Sequence, residues 1–116
     1  MRIEITGRNG FEVTEEIRGA VTKRFAGVAR QVSDLARLEV ELHEERNPRI
    51  ADSQVAVANL FLKGTTIRAE EASSEMLHTI HELAEDVRRQ VKRHRELQRK
   101  RSRTRQLVGR LRGREA

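Results

Sequence analysis

The stretch that decides the fold is residues 37–70, RLEVELHEERNPRIADSQVAVANLFLKGTTIRAE. Leu38, Val40 and Leu42 alternate with Arg37, Glu39, Glu41 and His43, the period-2 pattern of a half-buried strand. Gln54–Lys63 is apolar on both sides: Val55, Val57 and Phe61 face one way, Ala56, Ala58, Leu60 and Leu62 the other. It reads as a central strand covered on at least one face. Glu44–Asp52, which holds the only proline, Pro48, is the loop between these strands. Gly64 turns the chain into Thr65–Glu70, where Thr66 and Arg68 alternate with Ile67 and Ala69. Three strands joined by short connections predict a meander.

Toward the N-terminus, Arg2–Gly7 alternates with Ile3 and Ile5 on one side, a fourth strand, and Gly7–Gly10 turns the chain. Thr14 is placed to cap a helix whose first turn carries Glu15 and Glu16, where the helix dipole favours negative charge. Ile17, Val21, Phe25, Val28 and Val32 make its apolar stripe, and the helix is expected to end near Gln31. Toward the C-terminus, Ser73 or Ser74 caps a long helix with the stripe Met76, Leu77, Ile80, Leu83, Ala84, Val87, Val91 and His94. The order is β-α-β-β-β-α. Two amphipathic helices need a face to cover, so the expected fold is α+β, a four-stranded sheet with both helices packed on one face.

Charge divides the chain inside that second helix. Residues 1–87 hold 11 Lys/Arg against 16 Asp/Glu, a formal −5, whereas residues 88–116 hold 13 against 2, a formal +11. Dipole compensation at a helix C-terminus uses two or three cations, not thirteen. A field of this size attracts a polyanion, because each cation that meets a phosphate releases condensed counterions. Arg88, Arg89, Lys92, Arg93, Arg95 and Arg99 fall on the arc opposite the apolar stripe, and Arg18 and Arg24 flank the stripe of the first helix. Arg101 returns to the core-facing direction, so the chain leaves the folded body by about residue 98. The domain is therefore read as 1–97, and 98–116 as a basic tail without fixed structure unless bound.

Other chemistries find little support in the sequence. There is no cysteine, hence no disulfide framework or thiolate metal site, and a reducing cytoplasm suits such a chain. No run approaches the roughly 18 apolar residues of a spanning helix, and no membrane partner is expected. His78 and His81 stand three apart on a helix, but nothing distant completes a ligand set, and they read as surface residues; no metal is expected. No phosphate loop, nucleophile elbow or Ser/His/Asp arrangement is present, so no catalytic residue, cofactor or small-molecule substrate is expected. The three aromatics, Phe11, Phe25 and Phe61, leave little on which to stack bases. Folded RNA read by shape and charge fits best, with a generic double-stranded RNA or nucleoid-type DNA binder as the alternative.

Four segments carry a resemblance: Ile3-Glu4-Ile5-Thr6-Gly7-Arg8-Asn9, Val13-Thr14-Glu15-Glu16-Ile17-Arg18, Ile67-Arg68-Ala69-Glu70-Glu71-Ala72-Ser73-Ser74-Glu75-Met76 and Arg89-Gln90-Val91-Lys92-Arg93. In register over about residues 1–96, they resemble the ribosome hibernation-promoting factors, a bacterial stress-response family. The resemblance implies a cytoplasmic, non-enzymatic protein that binds the small ribosomal subunit and its ribosomal RNA near the decoding sites. There it would block messenger and transfer RNA and inhibit translation in idle cells. It implies RNA contacts for Arg18 and Arg24 on the first helix and for Arg89 and Arg93 on the second. Three departures stand out. Leu77, His78 and Thr79 replace a tyrosine followed by small residues, and Asp86 and Gly27 stand where lysines are common. The dimerising domain of long family members is not expected in 116 residues, so the chain reads as a short member or the ribosome-binding part of a long one.

Overall fold

In the computed structural model, which describes residues 1–115 and of 110–115 the backbone course alone, the alternating segments become β1 (Arg2–Gly7), β2 (Arg37–Glu44), β3 (Gln54–Leu62) and β4 (Thr65–Ser73). They pair in the order β1-β2-β3-β4. β2, β3 and β4 form the antiparallel meander, while β1 lies parallel to β2 and needs a crossover to reach it. Register aligns Ile3, Leu38, Leu60 and Ile67 in one row and Ile5, Val40, Ala58 and Ala69 in the next, all on one face. The opposite face carries rows such as Glu4, Glu39, Asn59 and Arg68. Gly7 closes β1 where a Cβ would overlap the Phe11 carbonyl oxygen, so no larger residue fits this turn as it stands.

The crossover is α1 (Glu15–Arg24) followed by a short α2 (Ala26–Ala29), and the chain ends in α3 (Met76–Glu115). Thr14 caps α1 as expected, its hydroxyl accepting from the Ile17 N–H at 3.2 Å. Both helical layers cover the same sheet face. Val21, Phe25 and Val28 meet Leu38, Leu42, Ala56 and Leu60 in one core with Ile80, Leu83, Val87 and Val91 of α3. Burying each such side chain stabilises the fold by about 1.5–3 kcal/mol, which is why the period-2 and period-3.6 patterns agree on one interior.

The structure corrects the sequence reading in four places. The first helix is interrupted at Phe25, and its second piece closes at Ala29, two residues short of Gln31. β4 continues past Glu70 to Ser73 because Val55 and Gln54 of β3 still pair with Ala72 and Ser73. In the stripe of α3, Leu77 is 44% exposed while Thr79 is fully buried. Thr79 is held by its hydroxyl, which donates to the Gln54 carbonyl at 2.9 Å and lies 2.6 Å from Ser73 Oγ. Ser73 also accepts from the Glu75 N–H, so it anchors the start of α3 from the end of β4 rather than from the cap position itself.

The fourth correction is the tail. Residues expected to lack fixed structure continue α3 without a break to Glu115. Leu97–Val108 contains neither glycine nor proline and is rich in Arg, Lys, Gln and Leu, good helix formers that need no tertiary contact to favour the helical backbone. Burial stops earlier: Val91 is the last buried residue among those whose side chains are described, His94 is half-buried, and Arg95–Gly109 are exposed throughout. At 1.5 Å per residue the helix is about 60 Å long, which accounts for most of the 69 Å long axis.

Because α3 leaves the core after His94, truncation after Leu97 is expected to preserve a cooperative melt with stability within about 0.5 kcal/mol of the full chain. Thermal unfolding followed by circular dichroism measures this. A large fall in midpoint would mean that the distal helix packs on the body.

Candidate nucleic-acid interface

Arginines are treated differently on the two faces of the protein. On the open sheet face, Arg2, Arg37 and Arg68 each pair with the glutamate two residues along the same strand, Glu4, Glu39 and Glu70, at 3.1–3.9 Å. Residues i and i+2 of a strand share a face, so this spacing neutralises the sheet surface locally. Arg8 likewise meets Glu41 at 3.4 Å. On α3 the pattern stops. Of Arg18, Arg24, Arg88, Arg89, Lys92, Arg93, Arg95 and Arg99, all exposed, only Arg88 has a carboxylate within ion-pair distance among the described residues, Glu85 at 3.7 Å.

The stripe of α3 that enters the core fixes where these cations point. Arg88, Lys92, Arg95 and Arg99 recur at spacings of four, three and four, which places them along one flank. That flank borders the end of the first helical layer. Gln31, Glu85, Arg88, Arg89 and Lys92 line an open cleft of about 330 Å³, and Gln31, Lys92, Arg95, Glu96 and Arg99 line its continuation of about 180 Å³. Arg93 follows Arg89 one turn on, at the next position around the helix. Clefts this size, with several guanidinium forks and an ammonium, suit phosphate groups held by charge-assisted hydrogen bonds.

Six of the eight expected residues therefore share one continuous stretch of helix. Arg18 and Arg24 do not line these clefts. Six positions apart on α1, they sit about 120° from each other, on opposite flanks of its buried stripe, so α1 presents them in different directions. Gln31 was missed. Its Oε1 is buried without a hydrogen-bond partner among the described residues, leaving an acceptor at the head of the basic cleft. Charge counting cannot find a neutral amide.

Among the described residues no three His, Cys, Asp or Glu side chains are grouped to hold a metal, and no helix is long and apolar enough to cross a membrane. His78 lies 3.9 Å from Glu82 on the surface of α3. Asp86, at a position where a lysine was expected, accepts from Gln90 Nε2 at 3.1 Å, and the same amide donates to the Arg68 carbonyl of β4 at 3.0 Å. Asp86 also faces Glu71. Burial raises the Glu71 carboxyl above its ordinary range, the Asp86 and Glu82 charges add to that, and Arg89 opposes it.

Residues 3–99 match the family described as sigma 54 modulation protein / S30EA ribosomal protein. The chain is 31% identical over 96 residues to the ribosome hibernation promoting factor of Salmonella typhimurium, covering 83% of this chain and 95% of that one. It is 29% identical over 97 residues to the ribosome hibernation promotion factor of Picosynechococcus sp., where the match spans only 50% of the relative's length. Among solved structures, the N-terminal domain of Protein Y from Thermus thermophilus superposes with a TM-score of 0.68 at 27% identity, covering 81% of this chain and 99% of that one. A ribosomal subunit interface protein from Coxiella burnetii superposes at 0.67 with 20% identity, over 83% of this chain and 99% of that one, a likeness of fold.

The Glu71–Asp86 contact sets a pH test. A carboxyl with a raised native pKa binds its proton more tightly folded than unfolded, so its contribution is favourable in acid and is lost as pH rises through the native value. Glu71→Gln is expected to melt with the parent protein at acid pH and above it at neutral pH. A neutral-pH loss of stability would show that the Arg89 contact outweighs the like charges.

Proposed function

The chain belongs to the sigma 54 modulation protein / S30EA ribosomal protein family, whose members are ribosome hibernation factors and not enzymes, and from that membership we propose that it binds the small ribosomal subunit and silences it. In this reading the exposed flank of α3 lies along ribosomal RNA near the decoding sites, and bound factor excludes messenger and transfer RNA. The setting is the cytoplasm of idle cells, where the relatives' function as hibernation factors belongs.

One observation carries the reading: a helix whose inner stripe is locked into the core presents a row of cations of which, among the described residues, only Arg88 meets a carboxylate, while Arg2, Arg37 and Arg68 on the opposite face are each paired. Uncompensated cations repel one another, a cost that an aligned row of phosphates removes. Arg89, Arg93, Lys92, Arg95, Arg88 and Arg99 are the principal contacts in this proposal, with Arg18 and Arg24 meeting separate phosphates from α1. The distal helix extends the same row beyond the body. Phe61, the aromatic nearest the open sheet face, has the Arg37 guanidinium 4.5 Å above its ring. Base stacking therefore contributes little, and recognition rests on RNA shape and phosphate positions.

Arg89→Glu combined with Arg93→Glu is expected to fold normally, since both are exposed, and to weaken association with small subunits by about tenfold or more. Salt-dependent co-sedimentation measures this. The parent should lose affinity with a slope of roughly −0.7 to −0.9 per phosphate neutralised, and the variant should show a shallower slope. A folded variant that sediments like the parent would move the interface elsewhere. Equal retention on naked double-stranded RNA or DNA would favour a generic binder.

Position is tested by competition on vacant small subunits. Saturating factor is expected to displace a messenger–transfer RNA pair, and the pair to displace the factor. Mutually indifferent binding would overturn the decoding-site placement while leaving the RNA attraction intact.

A further inference from the structure

At the end of the sheet where β1 begins and β3 ends, the segment joining α2 to β2 stands off from α3 and leaves an open groove of about 860 Å³. Its apolar lining is mostly aliphatic, Val32, Leu35, Ala36, Leu62 and Val91, with Phe61 and His94 beside them. Leu35 is 94% exposed, the most exposed large apolar side chain among the described residues. The rim is cationic. Lys63 and Arg95 stand on it without a carboxylate within ion-pair distance among the described residues, whereas Arg2 and Arg37 are engaged by Glu4 and Glu39. Asp34 is the single acidic residue lining the groove.

The geometry points to a docking site for a short acidic protein segment that carries at least one large apolar side chain. An exposed leucine beside an aliphatic trough offers an anchor pocket of the kind that dominates protein interfaces, and the volume is within the range of roughly 300–1,000 Å³ that specific ligand pockets occupy. Lys63 and Arg95 supply complementary charge for carboxylates flanking the anchor, which steers encounter and selects against basic segments. An unstacked RNA base suits the groove less well, because its apolar lining is mostly aliphatic and the Phe61 ring within it already carries the Arg37 guanidinium. The basic arm of a second copy of this chain is also disfavoured. Its exposed Leu97, Leu107 and Val108 sit among cations of the same sign as the rim. The inference does not rest on the ribosomal reading. Gln31 and Arg95 are shared between the groove and the basic cleft, and neither is altered in the test below.

Short random peptides displayed on phage and selected on the full chain at physiological salt test it, with Leu35→Asp as the counter-target. Leu35 and Lys63 are exposed and lie outside the proposed RNA contacts, so Leu35→Asp and Lys63→Glu should fold and bind small subunits like the parent. Selected peptides are expected to combine Asp or Glu with Leu, Ile or Phe. A synthetic copy should bind the parent about tenfold or more tighter than either variant, as anchor and charge loss at an interface centre predict. Its signature in the parent should be shifts of the Leu35 and Val32 methyl resonances. Failure to enrich any sequence, enrichment of basic peptides, or equal binding to Leu35→Asp would overturn the proposal. So would displacement of the peptide by a short single-stranded RNA, which would assign the groove to RNA. Concentration-dependent self-association abolished by Leu35→Asp would assign it to a second copy.

Discussion

One apolar stripe on α3 governs the rest of the molecule. The sheet has a single face of aligned Leu, Val, Ile and Ala side chains, and Ile80, Leu83, Val87 and Val91 are the largest part of what covers it. That burial fixes the rotation of the helix about its axis. Rotation in turn dictates which later residues face water, because side chains on a rigid helix keep their angular relation wherever the helix goes. The orientation of Arg88, Lys92 and Arg95 is thus a consequence of hydrophobic packing one or two turns earlier, and a binding surface needs no loop to build it.

The pairing of charges gives that surface its contrast. Three arginines on the open sheet face meet glutamates along their own strands. Exposed pairs of this kind add little stability, about 0–1 kcal/mol each, but they erase the local field. The basic flank of α3 keeps its field. A polyanion approaching the molecule therefore meets a body that is neutral to acidic and one cationic edge, which orients the encounter before contact is made.

Most of the fold was legible because two periodicities pointed to the same interior. The meander was written in Leu38–Val40–Leu42, in the two-sided Gln54–Leu62 segment and in Gly64, and the register follows once alternate residues must share a buried face. What escaped was decided by contacts rather than by residue type. Thr79 takes a core position because Gln54 and Ser73 supply partners for its hydroxyl, while Leu77, two positions earlier and about 160° away around the helix, stays exposed. The distal helix escaped because low apolar content argued for disorder, whereas helix propensity acts through the backbone and needs no core. Periodicity alone placed six of the candidate residues on one exposed stretch of α3. Gln31 was not legible, since its place beside Lys92 depends on where the first helical layer ends. Nor could the sequence show that Arg18 and Arg24 diverge from the α3 clefts.

A helix that is half core element and half free arm couples two properties that are separate in most binding proteins. In the proposed binding mode, shortening the arm would change how many phosphates it can reach without touching the packing that aims it, because among the described residues burial ends at Val91 and Arg95–Gly109 are exposed. Weakening the stripe does the reverse. It frees the helix to roll, and even one residue's worth of rotation, about 100°, would turn the Arg88–Lys92–Arg95 row away from the cleft that Gln31 helps form. Affinity in such a molecule is set by the arm, and geometry by the core. The closest approach of the two is at Val91–Arg95, where a buried valine, the half-buried His94 and the exposed Arg95 follow within five residues.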